Sequence, residues 1–504
     1  MGDATPASGP DLRQGVPLAD IPPEGVFAGQ VDGEPVLLAW VDGRMHAVSG
    51  RCSHYGAPLA EGLRRGDVIH CPWHHACFRL RDGAALKAPA FADLPCWQVE
   101  ERDGLAYVRG RDDDAHPRPR ARRGREDPER IAIVGAGAAG YAAAVQLRAL
   151  GYAGAIDLFG ADPEPPYDRP NLSKDYLAGT APAEWIPLQG PDFYAEQGIR
   201  LHLGRAITAL DQHWRQLTDA HGDKFGYERL LLAPGAVPNR LPLPGFDAAN
   251  VCVLRSLADA DALLARIAHA RRVVLVGAGF IGLEAAAALR ARGLAVEVVA
   301  PEPLPLGGVL GEVLARDLLR RHREHGVAFH LGRKPQAFDG GALVLDDGSR
   351  LDCDALLLGV GVKPDLALAR AAGLAVEDGI VVDATLQTSV PGIYAAGDAA
   401  RFPYRGQPAR VEHWVHAQRQ GQVAAANLLG AGQAFTDPPF FWTHHYGTDL
   451  RYLGLGRGFD RVEVDGDPAA DDCLVRYFRG DTLLAAAAIG RDRALLELEP
   501  ALRG

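Results

Sequence analysis

Cysteine is scarce in this chain of 504 residues, and the seven present are scattered, so the disulfide framework that staples small secreted domains is not available. Basic residues are outnumbered by acidic ones, 53 to 64, and the formal charge of −11 excludes a general nucleic-acid or anionic-membrane surface. The N-terminus, Met-Gly-Asp-Ala-Thr-Pro, has neither a basic region nor an apolar core, so no secretory leader is expected. Long apolar runs are missing too. The longest, residues 273–289, is interrupted by Glu284 and three glycines, and reads as strand, turn and helix rather than a membrane span. A cytoplasmic, reducing setting follows, with length enough for about three to four domains.

Two of the few cysteines stand in a pattern. Cys52 and His54, then Cys71 and His74, form Cys-x-His and Cys-x-x-His pairs separated by sixteen residues. Two thiolates and two imidazoles on two short loops are what a Rieske-type 2Fe-2S cluster needs, one iron held by sulfur and the other by nitrogen. The competing reading is a structural Cys2His2 zinc site, which usually spaces its histidines three to five residues apart. Here each pair mixes one cysteine with one histidine, and the loops Cys52-Ser-His-Tyr-Gly-Ala-Pro-Leu and Cys71-Pro-Trp-His-His-Ala-Cys-Phe closely resemble Rieske ferredoxin loops. High-potential Rieske domains add a cysteine to each loop and two hydroxyls near the sulfurs; Ala57, Trp73, Ala76 and Phe78 stand at those positions. Fewer donors place the potential toward the bottom of the range of about −150 to +300 mV. His75 replaces the glycine usual in relatives, and if the position needs a positive φ, histidine adopts it at some cost. The other five cysteines are read as small core hydrophobes.

Short alternating segments, with a turn at Asp42-Gly43, mark residues 1–110 as an all-β unit. Residues 111–129 are Asp, Arg and Pro with almost no large apolar side chain, which reads as a linker. Beyond it, strands alternate with long helices, and one design occurs twice. Ile131-Ala-Ile-Val-Gly-Ala-Gly-Ala-Ala-Gly140 and Val273-Val-Leu-Val-Gly-Ala-Gly-Phe-Ile-Gly282 each follow an apolar strand and open an alanine-rich helix, their first glycines 142 positions apart. Gly135 and Gly277 allow the tight turn, Gly137 and Gly279 let a pyrophosphate approach the backbone, and Gly140 and Gly282 let the helix pack on its strand. Two such folds call for two dinucleotides, most simply FAD and a nicotinamide.

The segment Thr388-Ser-Val-Pro-Gly-Ile-Tyr-Ala-Ala-Gly-Asp398 resembles the stretch of two-dinucleotide flavoproteins that sets an aspartate on the ribityl chain. Because it follows the second repeat, the FAD domain is expected to be discontinuous, 130–250 and 375–425, around a nicotinamide domain at 251–374. Asp162 is the candidate ribose ligand for FAD, one place late after its strand. Glu302 is its counterpart in the second copy, two places late; an acid there repels a 2′-phosphate, so NADH is favoured over NADPH.

Disulfide reductases of this architecture need a cysteine facing the flavin, and none lies between Cys96 and Cys252. Instead the chain reads Pro166-Tyr-Asp-Arg-Pro-Asn-Leu-Ser-Lys-Asp-Tyr-Leu-Ala-Gly179, which resembles the ferredoxin reductases of bacterial dioxygenase systems and the apoptosis-inducing-factor-like flavoproteins. With the quartet included, nearly the whole chain resembles Rieske-fused, apoptosis-inducing-factor-like oxidoreductases. The resemblance implies an α/β, Rossmann-like flavoprotein with two dinucleotide-binding domains, an N-terminal all-β Rieske domain, and a small α+β C-terminal interface domain at 430–504. It places Arg169 and Lys174 along the isoalloxazine, pairs Lys174 with Glu284, and lays Trp414 of Glu412-His-Trp near the flavin and nicotinamide rings. Pro234, where relatives carry threonine, removes an amide donor near the FAD. The run Phe440-Phe-Trp-Thr-His-His-Tyr446 reads as packing rather than a second metal site, because adjacent histidines rarely share an ion.

The activity expected is transfer of electrons from NADH through FAD to the chain's own 2Fe-2S cluster, and on through the His54 and His74 edge to a redox protein of the oxygenase or cytochrome P450 type. A slow redox sensor, monomeric or homodimeric, is the second reading.

Overall fold

A computed structural model describes residues 9–115 and 127–504. The central part of the expected linker, 116–126, lies outside the described residues. Among the described residues no helix is long and apolar enough to cross a membrane, and no disulfide links the seven cysteines.

The N-terminal unit is all β. An antiparallel sheet of six strands runs in the order Val16–Pro17, Leu105–Arg111, Cys96–Arg102, Arg44–Ser49, Glu34–Val41, Phe27–Val31. Asp42 and Gly43 both take positive φ, 49° and 76°, which is the twist a two-residue hairpin demands between Glu34–Val41 and Arg44–Ser49. A smaller sheet of four strands, Leu63–Arg65, Val68–His70, Cys77–Arg79 and Ala85–Lys87, carries the second Cys/His loop.

Two parallel five-stranded sheets follow. In the first the order is Ile199–His202, Ala155–Phe159, Arg130–Val134, Arg229–Leu232, Ile393–Ala395, so its last strand comes from beyond the second sheet in sequence. The second is Val251–Cys252, Ala355–Leu358, Arg272–Val276, Ala295–Ala300, Val327–Leu331. Their inner strands are apolar on both faces, as crossover helices require. The C-terminal unit is an antiparallel sheet, Phe440–His445, Thr448–Gly454, Thr482–Ile489, Asp472–Arg479, Arg461–Asp467, closed by the helices Asp492–Glu497 and Glu499–Leu502.

The helix Trp414–Leu428 ties these units together. Its Gly421 lies so close to the helix Ala138–Ala149 that an added Cβ would sit 2.2 Å from the Ala139 carbonyl oxygen. Its buried polar residues face different neighbours: Gln420 accepts from the Gly397 N–H at 2.8 Å, while Arg419 and Gln422 meet the N-terminal unit. Arg419, 1% exposed, donates from Nη2 to the His75 carbonyl at 2.9 Å, and Gln422 Oε1 accepts from the Ala88 N–H at 2.8 Å. Lys87 reaches across to Glu499 at 2.9 Å and Asp437 at 2.8 Å. A guanidinium buried to this degree is tolerated only where carbonyls receive its protons, so the docking is specific and not a loose apolar contact.

Candidate functional site

The two Cys/His loops have the same construction. In each, the first cysteine's carbonyl accepts from the amide four residues on, Gly56 at 2.9 Å and His75 at 3.2 Å, and both of those residues take positive φ, 76° and 58°. His75 therefore occupies a left-handed turn position, and its ring packs on Phe440 with centroids 4.2 Å apart and neither nitrogen partnered. The loops bring the Cys52 and Cys71 thiols into hydrogen-bond contact, which pulls the Cys52 pKa down, while burial pushes that of Cys71 up. On the other side His54 Nδ1 and His74 Nδ1 face each other at 3.2 Å. Burial holds the pKa of His54 down at about 3 and that of His74 well below its usual value, so both rings are neutral and able to bind metal. Among the described residues no three such donors converge on one ion. The donors come instead as a sulfur pair and a nitrogen pair, which fits a two-iron cluster and not a single tetrahedral zinc.

The second feature is a cavity of about 1010 Å³ that runs along both glycine turns. Gly135 and Gly277 hold φ of 104° and 106°, and a Cβ on either would fall 2.0 Å and 2.3 Å from the carbonyls of Ala233 and Gly359. A Cβ on Gly140 or Gly282 would fall 1.8 Å from Gly135 O or 2.4 Å from Gly277 O, inside the helix-to-turn contact. Gly137 and Gly279 have no such neighbour; the nearest atoms are Arg169 Nη1 at 3.7 Å and Gly359 O at 4.0 Å. These two positions leave the backbone open to the cavity beside the N-termini of Ala138–Ala149 and Phe280–Ala291, a cradle that fits a pyrophosphate in each copy.

Asp162, Arg169, Lys174, Glu284, Asp398 and Trp414 all line this cavity. Asp162 accepts from the Tyr167 hydroxyl at 2.9 Å. Lys174 Nζ lies 2.8 Å from Glu284 Oε2, and the same carboxylate, 3% exposed, accepts from Ser173 Oγ at 2.6 Å and from Thr443 Oγ1 at 2.7 Å. Glu302 is exposed and does not line the cavity: its strand ends at Ala300, and Pro301, Glu302 and Pro303 are exposed beyond it.

Several contacts have no counterpart in the sequence reading. Arg255 Nη2 holds Asp398 at 2.7 Å. The run 440–446 does more than pack, because alternation along the strand Phe440–His445 divides it between two sites. Phe440 and Trp442 face the Cys/His loops, while Phe441 and Thr443 face the helix Phe280–Ala291. Trp442 also lines the cavity. The period-two pattern of that run was the available signal.

The two histidines differ in exposure: His54 is half-buried beside Tyr55, which is 43% exposed, while His74 is buried. His74, 6% exposed, packs on Trp442 with ring centroids 4.3 Å apart. His54 stacks on Tyr55, whose hydroxyl donates to the buried Asp168, next to Arg169 on the cavity wall. Arg451 Nε closes the arrangement by donating to the Trp73 carbonyl at 2.7 Å. The reason is tertiary: the second loop docks on the C-terminal sheet, and this turns His74 inward.

Comparison with known proteins agrees with this division. Residues 129–421 match the pyridine nucleotide-disulphide oxidoreductase family, residues 16–98 the Rieske [2Fe-2S] domain, and residues 440–502 the reductase C-terminal domain. The chain is similar to apoptosis-inducing factor 3 of Homo sapiens, 34% identical over 91% of this chain and 78% of the relative. It is also similar to the ferredoxin--NAD(+) reductase component of the anthranilate 1,2-dioxygenase system of Burkholderia cepacia, 39% identical over 71% of this chain and 91% of the relative. Among solved structures, the covalent putidaredoxin reductase-putidaredoxin complex matches with a TM-score of 0.71 and 35% identity, over 75% of this chain and 93% of that one.

Proposed function

We propose, from the premise that this chain belongs to the pyridine nucleotide-disulphide oxidoreductase family and is an NAD(P)H oxidoreductase with a Rieske domain, that it passes electrons from NADH to its own Rieske centre and then to an external acceptor. An oxygenase or cytochrome P450 system is the class of acceptor its bacterial relatives suggest. The observation that carries the reading is the contact between His74 and Trp442, which seats the cluster loops on the wall of the dinucleotide cavity.

FAD, when bound, accepts a hydride as an electron pair and releases electrons one at a time, and a 2Fe-2S cluster carries them singly. The chain's own residues bind and orient. Cys52 and Cys71 would hold one iron, His54 and His74 the other. Gly135, Gly137 and Gly140 would receive the FAD pyrophosphate, and Gly277, Gly279 and Gly282 that of the nicotinamide. Glu284 fixes the Lys174 ammonium on the cavity wall, and the Ser173 and Thr443 hydroxyls donate to the same carboxylate. Arg255 restrains Asp398 in the same way. NADH is favoured by the acid at Glu302 and by the engagement of Arg333, beside the same strand end, with Asp347 at 3.1 Å.

Anaerobic addition of NADH is expected to bleach the flavin band and then produce the EPR signal of a reduced Rieske centre. Bleaching with no such signal would contradict the reading. A second reading, a slow redox sensor, is favoured by the burial of His74 against Trp442, which leaves only the half-buried His54 side of the pair near the surface. Slow flavin reduction by NADH and a long-lived reduced flavin in stopped-flow turnover would select it.

A further inference from the structure

The helix Trp414–Leu428 begins at the cavity, and the residue before it, His413, is not of a type that usually caps a helix. Its carbonyl accepts from the Ala417 N–H at 2.9 Å, the first bond of the helix, but its side chain makes no capping bond. The ring is turned instead onto Phe441, centroids 4.6 Å apart and planes inclined at 56°, and it lines the cavity. Phe441 in turn meets Phe280, the residue after Gly279 of the second glycine turn, with centroids 4.6 Å apart. His413 therefore stands where the two halves of the cavity join. A hydride passes only between rings held against each other, so a side chain at this junction faces the rings of the dinucleotides and not their pyrophosphate ends.

The ring offers one proton. Burial lowers the His413 pKa to about 4, with Asp398 opposing and Arg457 adding to the effect, so the imidazole is neutral at pH 7 and carries one N–H and one bare nitrogen. Nδ1 is buried and has no partner. An N–H sealed there would forfeit its hydrogen bond outright, so the proton belongs on Nε2, the nitrogen left on the cavity side. Among the described residues no group takes it. Asp398, the acid that acts on the ring's charge, is held by Arg255 at 2.7 Å, and Glu412, the preceding residue, is engaged by Arg410. The helix that His413 opens packs through Gly421 on Ala138–Ala149, the helix of the first glycine turn, which sets the ring on the flavin side of the junction. We propose that His413 Nε2–H donates to the redox-active ring of the flavin and favours its reduced form. The inference rests on the flavin lying in this cavity, as proposed above. Reduction adds electron density to the ring system and makes it the stronger acceptor, so a fixed donor binds the reduced form more tightly than the oxidised one. A neutral donor does so without placing a second cation beside Lys174.

The test uses the full-length holoprotein and needs no turnover. Flavin content, read from visible absorbance, decides the premise by itself: stoichiometric FAD supports it, and wild-type protein that cannot be loaded with FAD overturns it whatever His413 does. With flavin bound, His413→Phe keeps a ring on Phe441 and removes the N–H. Its flavin midpoint potential, from spectroelectrochemical titration, is expected to fall, by the equivalent of a preference for reduced over oxidised flavin about two- to tenfold weaker, the worth of one ordinary hydrogen bond. The sign is opposite to that of losing the Glu284 carboxylate, which leaves the Lys174 cation uncompensated. His413→Gln, which can still donate, should recover most of the potential. Vibrational spectra of the bound flavin give a second readout, a carbonyl or ring-nitrogen band that shifts in His413→Phe and not in His413→Gln. His413→Ala, which only removes atoms, takes the place of His413→Phe if that variant does not fold or load. An unchanged potential and an unchanged flavin spectrum in a folded, flavin-loaded Phe or Ala variant, or an equal fall in His413→Gln, overturns the proposal.

Discussion

His74 and Trp442 meet ring to ring, centroids 4.3 Å apart and planes inclined at 59°, across the boundary between the N-terminal β unit and the C-terminal sheet. One ring belongs to the nitrogen pair proposed to hold iron. The other lines the cavity proposed to hold flavin, with the Lys174 ammonium 5.7 Å from its centroid. The pair makes the cluster loops and the dinucleotide cavity one site.

Replacing Trp442 with Ala removes that bridge without touching a glycine turn or an iron ligand. Flavin reduction by NADH should keep its rate, while the subsequent appearance of the reduced-cluster EPR signal slows. Rapid-freeze sampling after anaerobic mixing separates the two steps. Equal slowing of both would show that Trp442 acts on the cavity and not on the transfer.

Glu284→Ala leaves the Lys174 ammonium buried without its counter-ion and takes the acceptor from Ser173 and Thr443. Loss of one partner of a buried pair costs about 3–5 kcal/mol, so a lowered melting temperature is expected. The uncompensated cation should also raise the flavin midpoint potential, because it stabilises the reduced, more negative form. Glu284→Gln, which preserves hydrogen-bonding capacity, should show the potential shift with a smaller loss of stability. Spectroelectrochemical titration and thermal melting of both variants give the comparison.

The two glycine turns are distinguishable by mutation. Gly140→Ala brings a Cβ to 1.8 Å from Gly135 O and should yield protein without flavin. Gly282→Ala makes the corresponding clash at 2.4 Å in the second copy and should retain flavin but lose NADH binding. The flavin absorbance of the purified variants and NADH titration check the assignment, and the opposite pattern would exchange the two sites.

At the docking junction burial pushes the Glu499 pKa up, but Lys87 and Arg419 outweigh it and hold the carboxyl well below its usual range. A depressed folded value means the ion pair's contribution is complete above the unfolded pKa, about 4.3, and is lost as pH falls below it. Melting temperature should therefore drop more steeply between about pH 5 and pH 3 in the wild type than in Glu499→Gln, which has no carboxylate to protonate. Parallel curves would show that Glu499 contributes nothing to docking.

Features set by a local rule were legible in the sequence. The Asp42-Gly43 turn follows from positive φ at both residues, the glycine turns from the carbonyls of Ala233 and Gly359 pressing on Gly135 and Gly277, and the donor pairs from the chemistry of thiolate and imidazole. What stayed hidden depends on segments remote in the chain. Arg451 and Trp73 are 378 residues apart, Arg419 and His75 are 344 apart, and the orientation of His74 is decided by these contacts and not by its own loop. Glu302 lies beyond the end of its strand, exposed between two prolines, where the strand pattern alone does not fix its direction.

The central claim is that electrons reach the cluster inside one chain. The direct measurement is the rate of cluster reduction after anaerobic mixing with NADH, repeated over a wide range of protein concentration. Transfer across the His74 and Trp442 contact predicts one first-order rate constant, the same at every concentration. A rate that rises in proportion to protein concentration would mean that the flavin of one molecule reduces the cluster of another, and would contradict the account.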